Sequence, residues 1–388
     1  MKRRLLSIFL VLVQAVVVVQ PVYAQEAAPV FATKARQVYL VEEKTGTVLL
    51  ATNENQAFPP ASLAKLMTME VVFSALKRGE ITTDTSYPVS EFAWRSGGAP
   101  SGTTTMFAAL NSTVRVEDLI KGVVVQNAND GCVVLAEGLS RSEPEFAARM
   151  TARARDLGLS RSEFGNSTGL PTAESRTTAR DLVELARHLH REYLDFYPLY
   201  AQPDFEWNKI FQRNKNPLLA LNIGVDGLGA GFAEGSGYAL VASVERDGTR
   251  LFLAMGGLAS DKERQEEARQ ILEWGLSSFQ TRLLFTQGEV IGQASVYGGT
   301  SRSIDLVAAE PVDIYVPTRN PERLSGRIVY RWPLRAPVTE GQAVGTLQIS
   351  AGDRVLREVP LKTVAPIEQG SLGSRATDAL LELMFFWL

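Results

Sequence analysis

Cysteine is almost absent: Cys132 is the single one in 388 residues, so the fold cannot rest on an internal disulfide. Histidine is scarce too, with only His188 and His190. Two apart on a helix, they do not share a face and make a poor metal pair, so no metal or cofactor is expected. They are expected on a solvated helix over 178–192, and a Ser-His-Asp triad using one of them stays open. Neither sign of charge dominates: 40 Lys and Arg against 43 Asp and Glu leave a net charge of −3. That balance gives no reason to expect nucleic acid as a partner. What is present is ordinary for a globular protein, 45% hydrophobic and 21% charged, at a length that suggests two domains.

The first residues read as an export signal. Lys2, Arg3 and Arg4 precede an apolar run over 5–19, and Val22-Tyr23-Ala24 is a small-x-small cleavage site. The run is short for a membrane-spanning helix. Residues 1–24 are therefore expected to be removed after Ala24, with an uncleaved anchor as the alternative, and the rest to reach the periplasm.

The chemistry concentrates in Pro59-Pro60-Ala61-Ser62-Leu63-Ala64-Lys65-Leu66-Met67-Thr68. The prolines end an extended segment, and a helix can start at Ala61 or Ser62 and run to about Lys77. Ser62 and Lys65, three apart, then share one face near a positively polarised helix start. A serine hydroxyl needs a base to act as a nucleophile at neutral pH. A lysine amine serves if burial or a neighbouring cation lowers its pKa, and Leu63, Ala64, Leu66 and Met67 supply an apolar setting. The spacing alone is a short motif and recurs by chance.

Elsewhere the periodicity predicts a hairpin over 37–50, then helices at 116–126, 131–139, 145–157, 179–190 and 262–279. Strands are expected at 238–244 and 250–255, with another starting at 226–231. This describes helices packed on an antiparallel sheet over 25–280, an α/β (α+β) domain. Short strands at 290–297, 303–308, 312–316, 324–331, 343–350 and 355–364 predict a small β-sandwich over 281–366. Residues 367–388 read as a linker and an amphipathic helix, with Phe385, Phe386 and Trp387 available as interfacial anchors.

From about Arg36 onward the chain resembles the low-molecular-mass penicillin-binding proteins, the serine-type D-alanyl-D-alanine carboxypeptidases. The segment around Ser62 and Lys65 matches their nucleophile motif with its flanks. Val125-Gln126-Asn127-Ala128-Asn129-Asp130 stands where they carry Ser-x-Asn, and Phe164-Gly165-Asn166-Ser167-Thr168-Gly169-Leu170-Pro171 matches a loop near the cleft. The resemblance implies a penicillin-binding/β-lactamase-like serine transpeptidase domain followed by an all-β domain. It implies attack by Ser62 on the terminal D-Ala-D-Ala bond of a peptidoglycan stem peptide, with Lys65 as base. Asn129 would contact substrate and lysine, and oxyanion donors would come from the Ser62 N–H and the strand after Gly231. β-Lactams would acylate the same serine. The C-terminal helix would lie on the periplasmic face of the inner membrane.

Two departures stand out. Asn127 replaces the serine of the middle motif, and an amide cannot relay a proton as a hydroxyl can. Gly229-Ala230-Gly231 stands where the family has Lys-Thr-Gly, whose lysine and threonine hold the substrate's carboxylate. Reduced activity is expected. With that cation gone, the Lys65 pKa is expected to rise toward its solution value. Arg250 matches a family arginine on the adjacent strand and is a candidate replacement, while Lys209, Arg213 and Lys215 lie upstream in a segment the sequence does not place. The competing reading is a degenerate fold that binds peptidoglycan or cell-wall enzymes without turnover. A class A β-lactamase fits the C-terminal region poorly.

Overall fold

The structure, a computed structural model, describes residues 31–319, 323–352, 354–373 and 376. The expected signal segment over 1–24 and nearly all of the expected tail helix lie outside these residues.

Five antiparallel strands form the central sheet, in the order Val48–Thr52, Gln37–Glu42, Thr249–Leu258, Gly237–Arg246, Val225–Ala233. The strand Thr249–Leu258 shows why its sequence is apolar almost throughout. Successive side chains point to opposite faces, and both faces are covered. Phe252 and Ala254 enter the helical core on one side, while Leu251, Leu253 and Met255 pack with Ala268, Ile271 and Leu272 of the helix Asp261–Ser277 on the other. The last strand, Val225–Ala233, lies at the sheet's edge and borders the cleft.

The helix Ala64–Lys77 runs through the first core, with every residue from Ala64 to Ala75 buried. A helix enclosed on all sides needs no polar stripe, which is why its sequence shows little amphipathicity. Around it pack Val116–Gln126, Asn129–Ser140, Glu143–Asp156 and Ala179–Glu192. Side-chain caps fix several helix starts: Ser142 accepts from the Glu145 N–H, Thr178 from Asp181 and Ser260 from Glu263. Each such cap contributes about 1 kcal/mol.

The histidines are not on a solvated face. His188 lies 3.2 Å from the fully buried carboxylate of Glu70 and edge-on to Tyr193, while His190 packs against Tyr197 and Phe252. Glu70 also accepts from Arg153 at 2.8 Å and from the Tyr193 hydroxyl at 3.1 Å. The reason is that Ala179–Glu192 sits between the helical layer and the sheet, so two of its faces are covered. Neither histidine lines the cleft around Ser62, which leaves no triad there.

From Phe279 onward the chain is β. Phe279–Phe285 pairs with Val312–Pro317. Six further strands form a sheet in the order Leu324–Tyr330, Ala343–Ala351, Arg354–Thr363, Ser303–Ala308, Val290–Tyr297, Leu334–Arg335. Leu306, Val312, Ile314 and Leu361 fill its core. Tyr315 ties the two parts together: it is buried in the second core cluster of the main domain and donates its hydroxyl to Gly275 O at 3.0 Å.

Candidate active site

Ser62 sits on a single 3-10 turn, Ala61–Leu63, that leads directly into the helix Ala64–Lys77. The turn begins with Ala61 at φ +47°, a left-handed conformation uncommon for alanine. Gly169 explains how this geometry is held. A side chain there would lie 1.7 Å from the Ala61 carbonyl oxygen, so only glycine, itself at φ +79°, lets the 166–169 loop close on the nucleophile turn.

Lys65 lies one turn on and is 4% exposed. Its Nζ donates to Ser62 Oγ at 3.3 Å and to the Thr168 carbonyl at 2.7 Å. Burial pushes its pKa down from 10.5 to about 8. This corrects the expectation that losing a neighbouring cation would let the value return to that of free lysine. Desolvation by the apolar surroundings of the helix is the larger effect. Cys132, also fully buried, has its thiol pushed up to about 12 by burial, so it is neutral beside Lys65.

The middle motif takes its shape from a break between two helices. Asn127 closes Val116–Gln126 at φ +64°, a conformation asparagine accepts far more readily than most residues. Ala128 is extended, and Asn129 opens the next helix, two residues earlier than expected. Asp130 clamps the segment before it. Its buried carboxylate accepts from Thr105 Oγ1 at 2.6 Å, Met106 N at 2.9 Å and Ala108 N at 3.0 Å. That holds Thr103 against Asn129, whose Nδ2 donates to Thr103 Oγ1 at 3.0 Å. Asn129 Oδ1 is buried without a hydrogen-bond partner, so Asn129 and Lys65 are not bonded here.

The remaining wall is the edge strand. Gly231 lies close behind the nucleophile, where a Cβ would be 3.3 Å from Ser62 N. Gly229 faces open space, its nearest Cβ neighbour being Leu63 Cδ2 at 4.0 Å. The cleft is lined by Ser62, Lys65, Asn127, Gly229 and Ala230, and by Lys215 between Asn214 and Asn216. The hydroxyl of Tyr200 and Nδ2 of Asn216, also on this lining, are buried and unpartnered. Among the described residues no cluster of His, Cys, Asp or Glu is placed to hold a metal ion.

Arg250 is elsewhere. It bonds Asp226 at 2.8 Å and Ser243 Oγ at 2.6 Å and pairs with Glu245. Ala230 is level with Leu240, and Leu240 with Met255, five positions along the strand from Arg250. At ~3.3 Å per residue that is about 17 Å. Two carboxylates, Glu245 on the neighbouring strand and Asp226 on the one beyond it, hold the guanidinium at the far end of the sheet, so it does not serve the cleft. Besides Lys65, the lining holds Lys215 among the described residues. It is brought there by the hairpin Asp204–Trp207 and Ile210–Arg213. Asn214 follows directly and donates to the Tyr200 carbonyl at 3.1 Å, and Lys215 N donates to Val125 O at 3.0 Å.

A nucleophile turn, a buried lysine beside it, a helix-break asparagine and an edge strand around one cleft define the class of serine acyl-transfer enzymes with a penicillin-binding fold. Residues 23–257 match the D-alanyl-D-alanine carboxypeptidase family, and residues 279–369 match the penicillin-binding protein 5 C-terminal domain. The chain belongs to the first of these families, a serine-type D-Ala-D-Ala carboxypeptidase with an all-β C-terminal domain. It is 32% identical over 342 residues to D-alanyl-D-alanine carboxypeptidase DacD of Salmonella typhimurium, covering 87% of this chain and 88% of that one. It is 31% identical over 367 residues to DacC of Escherichia coli, covering 94% and 92%. The structure superposes on penicillin binding protein 5 from Haemophilus influenzae with a TM-score of 0.79 at 31% identity, covering 88% of this chain and all of the other.

Proposed function

We propose that the protein removes the terminal D-alanine of peptidoglycan stem peptides through an acyl-enzyme on Ser62, more slowly than a site with a complete carboxylate clamp. The observation that carries this reading is the Ser62–Lys65 pair, a hydroxyl 3.3 Å from an amine whose burial brings its pKa near neutrality. Neutral Lys65 accepts the Ser62 proton as Oγ attacks the carbonyl, and returns a proton to the leaving amine. The Thr168 carbonyl keeps the amine aimed at Oγ. The Ser62 N–H and the strand around Gly231 are the oxyanion donors in this reading. The unpaired edge of Val225–Ala233 offers backbone groups to an extended peptide.

The substrate's carboxylate lies toward Lys215, with the Asn216 amide beside it. A flexible lysine on a connecting segment is a weaker clamp than a cation fixed on the strand. A lost charge-assisted contact of about 1.5–3 kcal/mol would account for a slower reaction. Asn127 lines the cleft beside Lys215 and contacts the peptide, while buried Asn129 supports that wall from behind through Thr103. β-Lactams, which mimic the dipeptide, acylate Ser62. Export to the periplasm is proposed from residues 1–24, and attachment to the inner membrane from the amphipathic pattern of residues 372–388.

Release of D-alanine from a stem-peptide analogue tests the reading. Ser62→Ala is expected to abolish release, and Lys215→Ala to raise KM about tenfold or more. Slow labelling of Ser62 by penicillin with no D-alanine release would favour the alternative of a binding protein without turnover.

A further inference from the structure

Glu143 is a partly buried carboxylate in the first turn of the helix Glu143–Asp156, and the reaction described above does not use it. Its Oε1 accepts from Ser167 Oγ at 2.7 Å and its Oε2 from Ser167 N at 3.2 Å. Ser167 is fully buried. Its third polar atom, the carbonyl, accepts from Thr68 Oγ1 at 2.7 Å, and Thr68 is on the same helix as Lys65. The next residue is Thr168, whose carbonyl takes the Lys65 hydrogen bond.

The loop therefore has two ends to secure. Asn166 Oδ1 gathers the Thr168 N–H, the Thr168 hydroxyl and the Gly169 N–H at 3.2, 2.9 and 2.7 Å, which sets the internal turn. That turn does not fix where the loop stands against the helix bearing Lys65. Glu143 and Thr68 do, the first at the Ser167 N–H and hydroxyl, the second at its carbonyl. Without Glu143, both donors of a buried serine would lose their partner, and Ser167 would have to move to find water. The Thr168 carbonyl, one residue on, would move with it.

We infer that Glu143 is a positioning residue for acylation: by holding Ser167 it places the Thr168 carbonyl that aims the Lys65 amine at Ser62. This rests on Lys65 as the base. Burial raises the pKa of Glu143, while its bonds to Ser167 oppose that shift. Positioning needs its two contacts to Ser167, not its charge. Glutamine can supply the same shape, with its oxygen taking the Ser167 N–H and its amide donating to Oγ.

The test is acylation of the full-length protein by a fluorescent penicillin, resolved into the noncovalent Kd and the first-order rate constant that follows. Glu143→Ala is expected to lower that rate constant ten- to hundredfold with Kd within twofold. Glu143→Gln is expected to stay within threefold of the parent. Ser167→Ala, which removes one of the two contacts with less disturbance, should fall between and serves if Glu143→Ala does not fold. An unchanged rate constant in folded Glu143→Ala or in Ser167→Ala overturns the inference. So does equal loss in the Ala and Gln variants, or a loss confined to Kd. If the parent itself is not acylated, the Lys65 reading fails first, and the two failures are thereby separate.

Discussion

Burial of Lys65 makes a quantitative statement about pH. With its pKa lowered from 10.5 to about 8, roughly a tenth of Lys65 is neutral at pH 7. At pH 9 the neutral fraction is about nine-tenths. Left at its solution value, the amine would be about 0.03% neutral at pH 7, so burial enlarges the active fraction about 300-fold. If neutral Lys65 takes the Ser62 proton, the acylation rate follows that fraction. It should rise about tenfold between pH 7 and 9 and level off above, with a midpoint near 8. The assay is stopped-flow acylation by a fluorescent penicillin from pH 6 to 10.5, with circular dichroism at each pH to confirm that the fold persists. A rate that keeps climbing tenfold per pH unit beyond 9.5 would show that burial does not tune the base. A flat profile would show that Lys65 is not the base.

Two other outcomes follow from the same geometry. Lys65→Met should be more stable than the parent at pH 7 by about 1–3 kcal/mol, because the lowered pKa means folding opposes the charged form. The unfolded chain binds more protons between pH 8 and 10.5, so the parent gains stability with rising pH through that window and the gap closes near its upper end. Urea denaturation at pH 7 and 10.5 measures this, and a less stable Met variant at pH 7 contradicts it. Asn127→Ser with Gly229→Lys and Ala230→Thr should raise kcat/KM for D-alanine release at least tenfold, since Gly229 faces space that a lysine can occupy. An unchanged rate would mean that these positions do not limit turnover.

Much of the fold was legible because its periods are strong. Helix 116–126 and strands 290–297 and 303–308 coincide with those in the structure, since each shows an unbroken pattern between turn residues. The hairpin over 204–213 was not legible. Its turn is Asn208-Lys209, both at positive φ, and without the glycine that usually marks a two-residue hairpin turn it did not register. That omission hid the route by which Lys215 reaches the cleft. The place of Arg250 is hidden for a different reason. Its strand is plain in the pattern, but the carboxylates that hold it, Asp226 and Glu245, come from two other strands, and sequence spacing does not reveal their register. For Lys65, the apolar neighbours were visible in the motif. The balance between their effect and that of a missing cation depends on enclosure by the 166–169 loop and by Cys132, which only the tertiary structure supplies.

Mass spectrometry of the penicillin adduct addresses the central claim most directly. After incubation with benzylpenicillin at pH 9, the intact protein should carry one added penicilloyl group, mapped by proteolysis to the peptide containing Ser62. Ser62→Ala should carry none, and Lys65→Met should gain it far more slowly. An adduct on any other residue, or none on the folded parent at saturating drug, would contradict a nucleophile at Ser62 with Lys65 as its base.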